Sequence, residues 1–190
     1  ENTSMEAGIS DVVELVGTCV DSEWNGSVST EWNNAANWTP NVIPNANFNV
    51  LIPSGLESTK YPILQANAGA KNLEMGNDTS IDMNGNIFAI SGDITLGTNT
   101  TISGSTPGSN LYFSGANQQT IPDNFIDGDL DILTIENGAG VVSTTDIVLT
   151  SLLSVINGDF NTNNALTLAC QFTPVRKTAQ IGTVGGSITG

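Results

Sequence analysis

The chain contains no histidine, and only four of its 190 residues are basic: Lys60, Lys71, Arg176 and Lys177. The missing imidazole removes the commonest general base and the commonest metal ligand together. Nineteen acids against four bases leave a formal net charge of −15. A surface that acidic repels nucleic acid and anionic lipid, so neither is expected as a partner. It favours cations, Ca²⁺ among them, and it also keeps an extracellular surface soluble. No apolar run approaches the length of a membrane-spanning helix, so no direct membrane insertion is expected. The start, Glu1-Asn2-Thr3-Ser4, has neither a positively charged head nor an apolar stretch of the kind a secretory leader carries. The chain reads as a processed or excised piece of something longer.

Cysteine is scarce as well. Cys19 and Cys170 are the only two, too few for a disulfide framework in a chain of this size. An extracellular setting would permit them to pair. Stacked strands between them would, however, hold them several spacings of about 4.8 Å apart, against a bridged Cα separation below about 7 Å. Two unpaired, mostly buried cysteines are expected.

What is abundant is Asn (23), Thr (22), Gly (20) and Ser (17). These residues suit turns and solvated strand faces better than helix interiors. Three zones follow. In residues 1–20, Ile9, Val12, Val13 and Val16 fall at helical spacing, yet Val12-Val13-Glu14-Leu15-Val16 is also good strand material. A capping helix and the last strand of a preceding domain both remain open. Residues 21–53 hold all three tryptophans, Trp24, Trp32 and Trp38, followed by Pro40, Pro44 and Pro53, and end in the alternating strand Phe48-x-Val50-x-Ile52. Residues 54–190 carry short apolar pairs two residues apart, such as Leu73/Met75, Phe88/Ile90, Leu111/Phe113 and Leu166/Leu168, separated by turns such as Asn84-Gly85 and Asn157-Gly158.

Strands of three to five residues are short for a sandwich. Leu73, Ile94, Leu111, Leu133 and Leu153 recur every 17 to 22 residues, about the length of a three-strand rung, and a fixed period marks a repeat architecture. The expected fold is all-β: a parallel β-helix (β-solenoid) of roughly six short-strand rungs, starting near residue 48 behind an aromatic-rich N-terminal cap. An immunoglobulin-like or jelly-roll sandwich is the competing fold, and period and strand length favour the solenoid.

Five stretches in order carry a family likeness. They are Trp24-Asn25-Gly26 through Trp32-Asn33 and Asn37-Trp38 to Pro44 and Val50-x-Ile52-Pro53; Tyr61-Pro62-Ile63 leading to Leu73-x-Met75; Gln119-Thr120-Ile121 after Phe113-x-Gly115; Leu133-Thr134-Ile135-x-Asn137-x-x-Gly140-Val141; and Asn157-Gly158-x-Phe160 to Leu166-Thr167-Leu168, then Thr178-Ala179-Gln180-Ile181. Over residues 22–190 the chain resembles the β-solenoid modules of large secreted, adhesin-like surface proteins of Bacteroidetes exported by type IX secretion. The resemblance implies a right-handed parallel β-helix placed outside the cell within a long modular protein. It implies adhesion, surface spacing or gliding motility more than catalysis, with other modules of the same protein and surface glycans as partners. One departure is Phe125–Asp131, longer than that family's usual link into the next strand.

Two candidate sites stand out. Asp127, Asp129 and Asp131 alternate, so an unbroken strand would place three carboxylates on one face, a candidate Ca²⁺ site. It is not an EF-hand loop, since Ile132 stands where the turn glycine belongs. A solvated acidic loop is the plainer reading. Trp24, Trp32 and Trp38, with Asn25, Asn33 and Asn37 beside them, could form a sugar-stacking platform. Covering the open end of the solenoid is the stronger reading, because an exposed first rung leaves strand edges unpaired. No acid cluster recurs at rung spacing, as a glycosidase or lyase groove would require. Thr98, Thr100 and Thr101 do not repeat at the rung period as an ice-binding face would need. The expectation is a non-catalytic extracellular structural or adhesive module, a stiff acidic spacer. A carbohydrate-binding or carbohydrate-processing module of a secreted enzyme is the alternative.

Overall fold

A computed structural model describes residues 20–172 and 176–190. Cys19 and the 1–19 segment lie outside the described residues, as does the side chain of Cys170, so neither their pairing nor the choice between helix and strand is addressed.

The described chain is a parallel β-solenoid of about six rungs, with no α-helix. Each full rung contributes to three faces; rung 1 runs from Val50 to Ala70, and rungs 2 to 6 begin at Leu73, Ile94, Gln119, Val141 and Phe160. The first face stacks Ser22–Trp24, Val50–Ile52, Leu73–Met75 and Ile94–Leu96 in parallel register. Its later rungs supply Gln119–Ile121, Val141–Ser143, Phe160–Thr162 and Ile188–Thr189 as a second parallel ladder. The second face stacks Ser80–Asp82, Thr101–Gly104, the first half of Ile126–Glu136, the first half of Ile147–Asn157, and Leu166–Leu168. The third stacks Ala68–Ala70, Ile87–Ile90, Asn110–Phe113, the second halves of the same two long strands, and Gln180–Val184.

The pairs two residues apart explain the stacking. In a strand they point to one side, and a single rung has nothing to bury that side against. Parallel in-register stacking sets each against its counterpart above and below. On the third face the inward column is Phe88, Leu111, Leu133 and Leu153, all fully buried. Ile81 and Ile102 on the second face and Val50 and Leu73 on the first meet it in one continuous core.

Three expectations change. The five positions read as one period belong to two faces: Leu73 pairs with Ile94 on the first, whereas Leu111, Leu133 and Leu153 pair on the third. The shortest interval, Ile94 to Leu111, is a step between faces, not a rung. Not every strand is short: Ile126–Glu136 and Ile147–Asn157 run for 11 residues each. They round the corner between second and third faces without a turn, by a register shift between Leu130 and Ile132, where a β-bulge bends the strand. The apparent long link Phe125–Asp131 is therefore mostly strand. The parallel ladder also begins earlier than residue 48, because Ser22–Trp24 pairs with Val50–Ile52.

Corners between first and second faces are stacked turns. Asp78, Asn99 and Asn124 occupy equivalent places with φ of 58°, 55° and 60°, a left-handed conformation that Asn and Asp tolerate better than other side chains. Asn99 Nδ2 donates to Asp78 Oδ1 (2.9 Å), and Thr98 N donates to Asn77 Oδ1 (2.8 Å). Thr79 and Thr100 each donate to the glycine carbonyl three residues before, Gly76 and Gly97. At these corners the Thr side chains close each turn and the Asn side chains join it to the next.

Candidate functional site

The tryptophans come from the two strands and one short turn that precede the first full rung. Ser22–Trp24 pairs antiparallel with Trp38–Thr39, setting Trp24 opposite Trp38. Trp38 then meets Trp24 at a ring separation of 5.0 Å and Trp32 at 4.6 Å, both edge to face. Trp32 reaches Phe88 of the third face at 5.2 Å. Trp38 Nε1 donates to Trp32 O and Trp24 Nε1 to Lys60 O, each at 2.8 Å. All three rings are 0% exposed, so they offer no flat face to a sugar. The stacking platform is corrected: burying these rings against Phe88 removes far more apolar surface from water than presenting them would. Their asparagines are likewise engaged. Asn37 is buried, with Oδ1 accepting from Val28 N and Ser29 N, and Asn33 Oδ1 accepts from Gln65 N and Ala66 N. Asn25 Nδ2 donates to Thr39 Oγ1.

The three aspartates do not form a cluster. Gly128, at φ 70°, breaks the alternation that would have aligned them. Asp127 and Asp129 are exposed. Asp131 is 7% exposed, with Oδ2 accepting from Gly108 N (2.7 Å) and Oδ1 from Thr150 Oγ1 (3.0 Å). Among the described residues no group of three acids or cysteines could hold a metal ion. Asp131 instead ties rungs 3, 4 and 5 together at the bulged corner. Asp131→Ala strips two donors of a charged acceptor and is expected to cost about 2–4 kcal/mol. Asp127→Ala and Asp129→Ala should stay within about 0.5 kcal/mol of wild type. Calorimetric melting with and without chelator checks this: the melting temperature should not respond to chelation, and a fall on chelation would restore the Ca²⁺ reading.

A polar group that sequence reasoning passed over lies between the two ladders of the first face. Gln119 is buried and uses its whole amide. Nε2 donates to Ile90 O (3.0 Å) and Gly92 O (2.9 Å); Oε1 accepts from Gly115 N (2.9 Å) and Asn137 Nδ2 (2.8 Å). Asn137, 0% exposed, also donates to Asn117 O. The strand around Gln119 was visible in the sequence as Gln-Thr-Ile. Its inward amide was not, since alternation puts Gln119 and Ile121 on one side where an apolar residue would be expected.

The acids spread over two faces and the corners rather than converging. Glu23 and Glu74 point outward from the first face and Asp82 from the second, with Asp127 and Asp129 two rungs further along, beyond Ser103. Burial raises the Tyr61 phenol above its ordinary value, and Tyr61 belongs to the core rather than to a cleft. Corner clefts are lined by groups already bonded to one another: Asn72 Nδ2 donates to Asn49 Oδ1, and Asn72 Oδ1 accepts from Asp93 N.

Residues 23–110 match a domain of unknown function (DUF8693), a span that takes in the tryptophan segment and nearly all of the first three rungs. No curated protein and no solved structure matches the chain.

Proposed function

We propose that the chain is a non-catalytic extracellular structural or adhesive module, a stiff acidic β-solenoid spacer within a larger secreted or surface protein. The observation that carries the reading is the use of the polar residues. The buried amides of Asn37, Gln119 and Asn137 and the buried carboxylate of Asp131 are all engaged in joining segments or rungs. The described acids outside these bonds are dispersed, so no pair of titrating groups is set into one groove to divide acid and base roles. The composition and the adhesin-like resemblance support the extracellular placement and membership of a longer chain.

Two measurements test this. Incubation with a panel of neutral and anionic polysaccharides should release no new reducing ends and no unsaturated products; turnover of any of them would overturn the non-catalytic reading. Protease shaving of intact producing cells should remove the module, and its survival until lysis would overturn the extracellular one.

A further inference from the structure

The outward side of the third face is uncharged over four successive rungs and carries the bulkier apolar side chains. Across rungs 2 to 5 the outward positions of its strands are Ile87 and Ala89, Asn110 and Tyr112, Ile132 and Thr134, Leu152 and Ser154. None is charged, in a chain of net charge −15. The nearest acids stand at the margins: Asp131 is buried and bonded at one corner, and Glu136 ends the strand at the other. All but Thr134 are part-exposed. The result is a flat strip in which Ile87, Tyr112, Ile132 and Leu152 alternate with amide and hydroxyl groups. Asn110, in the middle of it, is part-exposed as a residue, while its Oδ1 is buried and meets no hydrogen-bond donor among the described residues.

At rung 1 the chain covers this face itself. A Cβ on Gly69 would meet Ala46 N at 3.3 Å, and Ser91 Oγ donates to Ala46 O at 2.6 Å. A tight, uncharged turn, Asn45-Ala46-Asn47, closed by Phe48 N donating to Asn45 O (2.9 Å), therefore lies on the strip's first position, and beyond it the outward positions of rungs 2 to 5, Thr134 apart, stay part-exposed among the described residues.

We propose that this strip binds a linear, uncharged polysaccharide lying along the solenoid axis, with Tyr112 and the aliphatic residues against sugar faces and Asn110 and Ser154 toward hydroxyls. The inference rests on the reading of the chain as an adhesive module and names what it adheres to. Size and charge select the ligand. Four rungs at about 4.8 Å make a strip roughly 20 Å long and two side chains wide, far short of the ~800 Å² per partner of a standard protein interface. A narrow linear polymer fits. The rung spacing is close to the length of one sugar residue in an extended glycan, so a sugar can meet the same environment at each rung. An anionic glycan would be repelled by the −15 charge around the strip, whereas a neutral one has no charge to desolvate.

Affinity electrophoresis tests it, with mixed-linkage β-glucan, xyloglucan and galactomannan as neutral probes and alginate and polygalacturonate as anionic ones. Wild type should be retarded by at least one neutral probe and by neither anionic one. Tyr112→Ala and Ser154→Glu should each weaken that retardation about tenfold or more, while Thr95→Ala on the first face leaves it unchanged. Ser154→Glu removes no packing, so a loss there is not a loss of fold; melting curves confirm this for each variant. Failure to bind any neutral probe, equal binding of the anionic ones, or wild-type binding by both strip variants would overturn the proposal. So would a concentration-dependent dimer abolished by Ser154→Glu, which would assign the strip to a second copy. None of these outcomes touches the spacer reading, which stands or falls on polysaccharide turnover, cell shaving and hydrogen exchange.

Discussion

Trp38→Ala is expected to lower the melting temperature by about 10 °C or more, the largest shift of any single truncation outside the repeating rungs. Trp38 is the middle ring of three, in edge-to-face contact with both others and bonded through Nε1 to Trp32 O. Deleting a fully buried tryptophan costs about 3–5 kcal/mol, and in a chain of 150–250 residues each kcal/mol moves the midpoint by about 2–4 °C. The variant also loses the packing that holds Trp38–Thr39 antiparallel against Ser22–Trp24. That strand pair closes the N-terminal edge of the first face, and an uncovered edge is a template for pairing with other chains. Aggregation on heating should therefore appear together with the lower midpoint. Differential scanning calorimetry and light scattering read both. A melting temperature within about two degrees of wild type would mean that the ring cluster is not a structural end-piece.

Gln119→Leu is expected to be nearly as damaging, although leucine is close in size and more apolar. The glutamine satisfies four partners: the carbonyls of Ile90 and Gly92, the Gly115 amide and the Asn137 side chain. Leucine orphans the Gly92 carbonyl and the Gly115 amide, and it takes one of two bonds from the Ile90 carbonyl, which keeps Ser114 N, and from the Asn137 amide, which keeps Asn117 O. At about 1–3 kcal/mol for each orphaned group, partly relieved by water or relaxation, the net cost is about 3–5 kcal/mol. Position matters as much as magnitude. The first face changes from one ladder to the other between Ile94–Leu96 and Gln119–Ile121, and Gln119 spans that change from one side to the other. Its loss should appear in denaturant titration as a reduced midpoint and a shallower transition, the signature of two halves that no longer melt together. Gln119→Glu offers a comparison that keeps the size and the acceptors but removes the donors.

The solenoid was legible because the strongest signal in the sequence, apolar residues two apart between Asn-Gly-type turns, is the signal a three-faced rung must carry. Phe88/Ile90, Leu111/Phe113 and Leu133/Ile135 are in register on one face, as that pattern implies. The allocation of pairs to faces was not legible. Leu73 and Leu111 look alike in sequence, and only the intervening corners decide which face each occupies. The 11-residue strands were hidden for a related reason: Asp127-Gly128-Asp129 has the composition of a loop, yet its backbone stays in the ladder and bends at a bulge. The same bend invalidated the metal site, which assumed strict alternation through Gly128. Nothing in the sequence marks Gln119 and Asn137 as buried, because amides usually stay in water and the burial of these two depends on partners 18 to 29 residues away. The uncharged third face follows from register as well. Ile87, Tyr112, Ile132 and Leu152 are unremarkable singly and form a strip only when stacked.

A stiff spacer must be one body, so its rungs have to open together. Hydrogen exchange followed by mass spectrometry measures this directly on the whole chain. The strands of all three faces from Val50–Ile52 to Phe160–Thr162 are expected to exchange slowly and with a common opening free energy, including the segments on both sides of Gln119. Fast, separate exchange of the rungs before Leu96 and those after Gln119 would show a hinge where the two first-face ladders meet, and would contradict the account of this module as a single rigid stack.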